Sequence, residues 1–227
     1  DEILDSFGVC NFSSIDVKGD LNFSNVEIGG PVNFVEAKTQ KNLSFQHAKI
    51  DGKADFRGII VNGDAYFDSF LKDKKFEAKK EAYFDALNVK KDLQVNGAIF
   101  NEKVGFKGIN ITGNSNFSQT KFLKNVDFSN ATFEGETEFE KTIFKDKVNF
   151  KNASFLFRAI FAGLNPFNAS FENAWLKNVV FNECDLTKVR FKHVIFDNCE
   201  LSTSRLPEKI LEHIEYDNNR NEELKSI

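Results

Sequence analysis

Residues 21–56 read LNFSNVEIGGPVNFVEAKTQKNLSFQHAKIDGKADF, and this stretch decides the fold. Phenylalanine recurs in it at every eleventh position, at Phe23, Phe34, Phe45 and Phe56. We call each of these repeating inward positions a centre. A second series of centres, Ile28, Thr39 and Ile50, lies midway between the phenylalanines. Most centres follow a small or apolar residue two positions earlier, as Phe23 follows Leu21. Because successive side chains of a strand point to opposite faces, inward residues at i−2 and i predict a very short β-strand.

The same lattice of centres extends over most of the chain. The step alternates between five and six positions from Phe12 to Phe161, except around 70–83, and is a strict five from Pro166 to Leu201. Of the 27 Phe, 22 lie on this lattice. A strand this short must pair with the equivalent strand of the next turn, which makes the chain a stack of coils. Counting Lys72 and Ala78 as centres, four faces per coil predict about nine coils of roughly 20–22 residues.

The residues between the strands indicate two kinds of corner. Where the step is six, the middle corner residue is often glycine, for example Gly52, Gly63, Gly113 and Gly135. Glycine adopts positive φ at little cost, so we expect positive φ at these positions. Where the step is five, the corners are two small polar residues such as Ser13-Ser14. The alternation of these two kinds of corner predicts a slightly rectangular coil in which opposite corners are of the same kind.

The strict-five region carries a family resemblance. Residues 169–188 read ASFEN AWLKN VVFNE CDLTK, which is a small-polar-Leu/Phe-polar-polar unit repeated four times. This unit resembles the pentapeptide-repeat family, and the eleven-residue stretches resemble its looser, Phe-rich branch. The resemblance covers about residues 10–204. It implies an all-β fold, a right-handed quadrilateral β-helix, and it implies little about activity, since most members of the family have none assigned.

The two ends leave the repeat. Residues 1–9 are expected to cap the first coil, and 10–204 to form the solenoid with an irregular segment at 70–83. Residues 205–227 are expected to form a short C-terminal capping helix, since Pro207 suits a first helical position. Its apolar face is predicted to consist of residues at helical spacing, namely Leu206, Ile210, Leu211 and Ile214.

The irregular segment is rich in lysine. The cluster consists of Lys72, Lys74, Lys75, Lys79 and Lys80. One interpretation is a solvated loop between coils; the other is a basic protrusion that binds an anionic partner. A second irregularity, Pro166 at a centre position, is interpreted as a bent corner.

Composition excludes several classes of protein. The chain has 27 Phe against 3 Tyr and 1 Trp, which predicts rings sealed from water. The net charge of −4 is too small to indicate a nucleic-acid partner. No apolar run approaches the length that a membrane-spanning helix needs, so we expect no membrane contact in this segment. The chain begins at Asp1 and has no Met, so we expect it to be part of a longer protein.

No catalytic, cofactor or metal motif is found. His47, His193 and His213 are scattered, and the first two fall at outward corners. Cys184 and Cys199 occupy inward i−2 positions and are interpreted as small buried hydrophobes. We therefore expect no enzyme, no cofactor and no metal site.

Three functions are compatible with these observations to different degrees. The first is a structural or protein-interaction scaffold whose partner and specific role the sequence does not identify. The second, suggested by the resemblance, is a DNA-mimic protein that binds a type II topoisomerase (gyrase). In it the chain would be a dimer through the C-terminal helix rather than a monomer. The third, a solenoid that binds ice or polysaccharide, lacks the outward row of Thr or aromatic residues it needs. We expect a cytoplasmic location.

Overall fold

A computed structural model describes residues 8–69, 74–201 and 203–207. These residues form short parallel strands and contain no helix. The strands are β1 (Cys10–Asn11), β2 (Asp16–Val17), β3 (Leu21–Asn22), β4 (Glu27–Ile28), β5 (Val32–Asn33), β6 (Lys38–Thr39), β7 (Leu43–Ser44), β8 (Lys49–Ile50), β9 (Ala54–Asp55), β10 (Ile60–Val61), β11 (Ala65–Tyr66), β12 (Glu77–Ala78), β13 (Ala82–Tyr83), β14 (Asn88–Val89), β15 (Leu93–Gln94), β16 (Ile99–Phe100), β17 (Val104–Gly105), β18 (Asn110–Ile111), β19 (Ser115–Asn116), β20 (Lys121–Phe122), β21 (Val126–Asp127), β22 (Thr132–Phe133), β23 (Thr137–Glu138), β24 (Ile143–Phe144), β25 (Val148–Asn149), β26 (Ser154–Phe155), β27 (Ala159–Ala162), β28 (Ala169–Ser170), β29 (Trp175–Lys177), β30 (Val179–Asn182) and β31 (Ile195–Asp197). None of the described residues forms a helix long and apolar enough to cross a lipid bilayer.

Four parallel sheets wrap around one axis and confirm the predicted right-handed quadrilateral β-helix. Face A runs β1-β5-β9-β13-β17-β21-β25-β28, and face B runs β2-β6-β10-β14-β18-β22-β26-β29-β31. Face C runs β3-β7-β11-β15-β19-β23-β27-β30, and face D runs β4-β8-β12-β16-β20-β24. We number the coils 1 to 9 along face B, which has one strand in each coil. Register partners such as Cys10↔Val32 in the first coils and Trp175↔Ile195 in the last show that the coil becomes shorter along the chain, as the change of step predicted.

The interior is a column of phenylalanine rings. Rings on one face stack coil on coil: the centroids of Phe106 and Phe128 are 4.9 Å apart, with 3° between the ring planes. Rings on different faces meet edge to face, as Phe117 and Phe128 do at 5.3 Å and 85°. Both arrangements are favourable for aromatic quadrupoles. The predicted centres and their i−2 partners therefore form one continuous core.

Positive φ occurs at the two-residue corners, not where the sequence predicted it. Ser14, Asn25 and Asn130 adopt φ between 57° and 60° there, and Gly58, Gly97, Gly108 and Gly163 take the same role. Each of these residues is the second of its corner, where a type II turn requires positive φ. The expectation of positive φ at Gly52, Gly63, Gly113 and Gly135 was wrong.

Close approach between coils explains the glycines of the three-residue corners. A Cβ added at Gly135 would collide with the backbone of Gly113 and Asn114 in the coil before. The same holds for Gly52 against the backbone of Gly30 and Pro31. Glycine is needed at these corners because successive corners stack in contact.

A ladder of side-chain oxygens runs along the corner between faces B and C. The Oδ1 atom of Asp20 accepts the backbone N–H of Asn42, and the Oδ1 atom of Asn42 accepts that of Asp64. The series continues through Asp92 and Asn114, with donor–acceptor distances of 2.8–3.0 Å. Backbone N–H groups at these corners are thereby satisfied, as buried donors must be.

The irregularity near residue 70 is an insertion in one corner. Face D of coil 3 is occupied by Ala78, which lies in register between Ile50 and Phe100 and is fully buried. The prediction that Ala78 is a centre is confirmed, whereas Lys72, counted as a centre as well, lies outside the described residues. The chain leaves the lattice after Ser69 and returns at Phe76, whose backbone N–H donates to the Ser69 hydroxyl at 2.7 Å. Regular pairing resumes at β12, so the break is shorter than 70–83.

The change of step near residue 166 also differs from the prediction. Phe167 and Leu164 are each 1% exposed, whereas Pro166 is exposed. Phe167 therefore fills face D of coil 7 in place of Pro166, because a ring continues the column below Phe144, 5.7 Å away.

The solenoid extends further toward the C-terminus than expected. Arg205 forms a parallel bridge with Asp185, and Leu206 packs against the core. Neither residue is in a helix, because the strict step of five continues past Leu201. The rest of the predicted capping helix, with Ile210, Leu211 and Ile214, lies outside the described residues, as do residues 1–7 of the predicted N-terminal cap.

Candidate interaction surfaces

The described residues contain no cluster of three or more His, Cys, Asp or Glu side chains that could hold a metal ion. His47 and His193 both occupy corners, as the sequence predicted, and both adopt positive φ. His193 is exposed, whereas His47 is half-buried and its Nε2 atom is enclosed. His213 lies outside the described residues. Cys184 is buried and Cys199 is partly buried; their Sγ atoms donate to the carbonyls of Phe161 and Leu176. Burial raises the pKa of both thiols, that of Cys199 to about 11. A thiol with a raised pKa is a poor nucleophile near neutral pH.

One carboxyl group is enclosed at the insertion. Asp68 is fully buried, and its Oδ1 atom accepts a hydrogen bond from Gln46 at 3.0 Å while Oδ2 has no partner. Burial raises the pKa of the Asp68 carboxyl group. Desolvation disfavours the charged form, so this group acts on stability rather than on a ligand in solvent.

Of the lysines predicted as an interaction cluster, three are exposed and one forms an ion pair. Lys74, Lys75 and Lys80 are exposed, whereas Lys79 pairs with Asp51 at 2.9 Å. Lys72 lies outside the described residues. These side chains belong to the corners on both sides of β12, beside face D, and their binding of an anionic partner stays a prediction.

An acidic groove runs along face C. It has a volume of about 150 Å³ and is lined by polar and acidic side chains of coils 4 to 6, among them Asp92, Asn114, Glu136 and Glu138. Glu136 is engaged by Arg158 at 3.0 Å. The glutamates at positions 134, 136, 138 and 140 are exposed or half-buried.

Face B differs from the other faces in its outward side chains, which form two columns, one residue before and one residue after each centre. Of the six large hydrophobic side chains that are exposed in the described part of the chain, three lie on this face: Ile60, Trp175 and Ile195. The first column is Asp16, Lys38, Ile60, Asn88, Asn110, Thr132, Ser154, Trp175 and Ile195. The second is Lys18, Gln40, Asn62, Lys90, Thr112, Glu134, Leu156, Lys177 and Asp197. Aromatic and aliphatic side chains among polar neighbours on a flat surface are typical of a protein interface.

Face B ends in an exposed apolar patch. Trp175 is 43% exposed and its register partner Ile195 is 51% exposed. Phe157, at the adjoining corner of coil 7, is 55% exposed. These three exposed side chains contribute little to the core, and apolar patches at a protein surface are candidate interaction sites.

Sequence reasoning did not single out this patch. The signal was available, since Trp175 and Ile195 each stand one residue before a centre and must point outward. Of the other residues proposed for assembly, only Leu206 lies within the described part of the chain, where it contacts the core.

Comparison with known proteins gives matches to repeat families. A family described as pentapeptide repeats (9 copies) matches residues 23–69 and 96–143, and another described as pentapeptide repeats (8 copies) matches residues 167–202. No curated protein matches the chain. Among solved structures, the chain is similar to HetL, a pentapeptide repeat protein involved in heterocyst differentiation regulation from the cyanobacterium Nostoc sp. strain PCC 7120, solved at 2.0 Å resolution. The identity is 14%, the TM-score is 0.32, and the match covers 88% of this chain and 93% of HetL.

Proposed function

Because the chain belongs to the pentapeptide-repeat family, we propose that it is a non-catalytic scaffold that binds a protein partner through face B. Members of this family are generally structural repeat proteins without enzymatic activity. The coils give the scaffold its rigidity, since every strand except those at the ends of the four sheets pairs on both sides.

The exposed patch of Phe157, Trp175 and Ile195 carries this proposal. Tryptophan is enriched among the few residues that supply most of the binding energy at interfaces. A rigid sheet loses little conformational freedom when it binds, so even a small apolar contact contributes to affinity. The remainder of face B is polar and carries charges of both signs, which suits the surrounding contact area.

Site-specific photo-crosslinking tests the proposal. A photo-crosslinking amino acid at position 175 is expected to capture a protein that the same amino acid at position 121, on the opposite face D, does not. The affinity for the captured protein should fall by roughly tenfold or more in Ile195→Lys. Equal capture from both positions, or an affinity that Ile195→Lys leaves unchanged, would remove face B as the binding surface.

The DNA-mimic function stays the second candidate. Its support is the acidic groove on face C, where Asp92, Glu136 and Glu138 lie in neighbouring coils. We rank it lower because two asparagines, Asn42 and Asn114, interrupt the acids along the adjoining corner, which divides the negative charge. A purified chain that protects or inhibits gyrase supercoiling, and loses this effect in Glu136→Lys/Glu138→Lys, would reverse the ranking.

A further inference from the structure

We propose that face B is the contact surface between two copies of this chain, arranged face to face with their solenoid axes antiparallel. The two-fold axis lies in the contact plane, parallel to the strands, and passes over β18 in coil 5. This inference rests on the proposed function, since it identifies the partner that occupies face B as a second copy.

The geometry of the arrangement follows from the even spacing of the coils. Neighbouring coils are ~4.8 Å apart along the axis. A two-fold axis over coil 5 therefore places coil 4 opposite coil 6 of the second copy, coil 3 opposite coil 7, and coil 1 opposite coil 9. Because the axis is parallel to the strands, each column of outward side chains meets the same column of the other copy.

The charges of face B are complementary in this register. In the second column, Lys90 faces Glu134 of the second copy. Lys18, which pairs with Asp16 of its own chain at 3.0 Å, faces Asp197. By symmetry each pair occurs twice. Lys90 and Glu134 are both exposed, and neither forms an ion pair within the described residues of its own chain.

The remaining positions are mostly compatible, the exception being Asp16, which meets Ile195 of the second copy. Lys38 meets Trp175 of the second copy, an arrangement that allows a cation–π contact. Ile60, which is 39% exposed, meets Ser154, and Asn62 meets Leu156. The residues on the axis, Asn110 and Thr112, face their own equivalents. No two like charges are opposed anywhere along the two columns.

Neighbouring registers are less favourable. Sliding one copy by one coil in one direction loses both charge pairs. Sliding it in the other direction places Lys18 opposite Lys177, and like charges in contact are destabilising. A parallel arrangement would oppose Asp16 and Lys18, but these two side chains already pair within one chain at 3.0 Å.

The size of the face is close to the lower end of the range for specific dimers. Nine coils span roughly 43 Å, and the four-residue width of each strand and its flanks adds about 13 Å. The flat area is therefore about 550 Å², and the accessible area of a surface with side chains is larger than its projection. A typical interface buries about 800 Å² per partner. Ser69 and Phe76 lie at the corner of faces C and D, away from the contact.

Charge reversal at the central pair tests the arrangement by sedimentation velocity on the full chain. The wild type should sediment as a dimer, and Lys90→Glu and Glu134→Lys should each weaken it by roughly tenfold or more. An equimolar mixture of these two variants should form a heterodimer, and the double variant Lys90→Glu/Glu134→Lys should again be a homodimer. Lys145→Glu on face D is the matched control and should stay dimeric.

A wild type that remains monomeric, or a dimer that survives both single reversals, would overturn the proposal. A dimer with parallel axes would also give the second result, because Lys90 and Glu134 would then face Asn88 and Thr132. Neither result would refute the scaffold function, because capture of another protein from position 175 is independent of self-association.

Cross-linking on the axis gives a second measurement. In a Cys10→Ser background, Thr112→Cys should form an intermolecular disulfide on mild oxidation because Thr112 faces its own equivalent. Asn62→Cys, which faces Leu156, should not. Equal cross-linking of both variants, or cross-linking of Asn62→Cys alone, would contradict the position of the axis.

Discussion

Trp175 and Ile195 are register partners in β29 and β31, and 43% and 51% of their surfaces face solvent. They lie side by side at the end of face B, on which Ile60 is exposed as well. Beneath them, Leu176 and Phe196 are buried at the centre positions. The two outward side chains are not part of that core. These two side chains therefore contribute little to the core, which is why the proposed contact surface is centred on them.

Exposure should separate the stability effects of two phenylalanines. Phe128 is fully buried, and Phe128→Ala should lower the free energy of unfolding by about 3–5 kcal/mol because it leaves a cavity in the ring column. Phe157→Ala, at an exposed site, should lower it by less than about 1 kcal/mol. Urea denaturation monitored by circular dichroism measures both. Equal losses would show that Phe157 is part of the core.

An added methyl group at a stacked corner should destabilise the fold. Gly135→Ala is expected to destabilise the chain by about 1–3 kcal/mol, since the new Cβ collides with the backbone of Gly113. Gly19→Ala is the matched control, because a Cβ there has no neighbouring atom within 4 Å and φ is not positive. Thermal unfolding of both variants distinguishes close approach from a general cost of replacing corner glycines, which would lower both melting temperatures alike.

The oxygen ladder should depend on the acceptor rather than on the charge. Asp64→Ala leaves the backbone N–H of Asp92 without its acceptor and should cost about 1–3 kcal/mol. Asp64→Asn keeps the acceptor oxygen and should cost clearly less. If the two substitutions were equally destabilising in urea denaturation, the negative charge of Asp64 would be the source of the stability.

The enclosed carboxyl group of Asp68 should make stability depend on pH in an unusual direction. Its pKa is raised by burial, so the folded state holds the proton more tightly than the unfolded state. The native state then loses stability as the pH rises from about 3.8 through the raised pKa. Asp68→Asn should therefore gain stability relative to the wild type across that window.

Asp185 provides the opposite control. Hydrogen bonds from Thr187 lower the pKa of the Asp185 carboxyl group, so its contribution is present above pH 3.8 and is lost as the pH falls below that value. Asp185→Asn should thus lose stability relative to the wild type as the pH rises. Thermal melts from pH 3 to pH 8 follow both differences, and slopes of the same sign would contradict the assignment of either group.

The sequence predicted the architecture well because one physical rule repeats along it. The spacing of Phe23 and Phe34 determines which residues point inward, and every coil repeats that requirement. Prediction failed where a neighbouring coil decides the outcome. Gly52 is glycine because of Gly30 in the coil before, and a single corner read in isolation does not contain that contact.

Positions where the step changes were also misjudged. Counting residues assigned a centre to Pro166, whereas Phe167 is the buried residue because an apolar ring completes the column. The centre at Ala78 was predicted correctly. The proposed contact surface was missed for another reason. Trp175 obeys the outward parity of the lattice, and only its exposure in one patch with two other apolar side chains distinguishes it from an ordinary surface residue.

The fluorescence of Trp175, the one tryptophan of the chain, reports directly on face B. Its quenching by acrylamide should decrease, and its emission should shift to shorter wavelength, as the protein concentration rises and a second copy covers the face. Lys90→Glu should remain fully quenchable over the same range. Quenching of the wild type that is independent of concentration would contradict the dimer. Quenching that also stays unchanged when the protein captured from position 175 is added to the wild type would contradict the account of face B as the interaction surface.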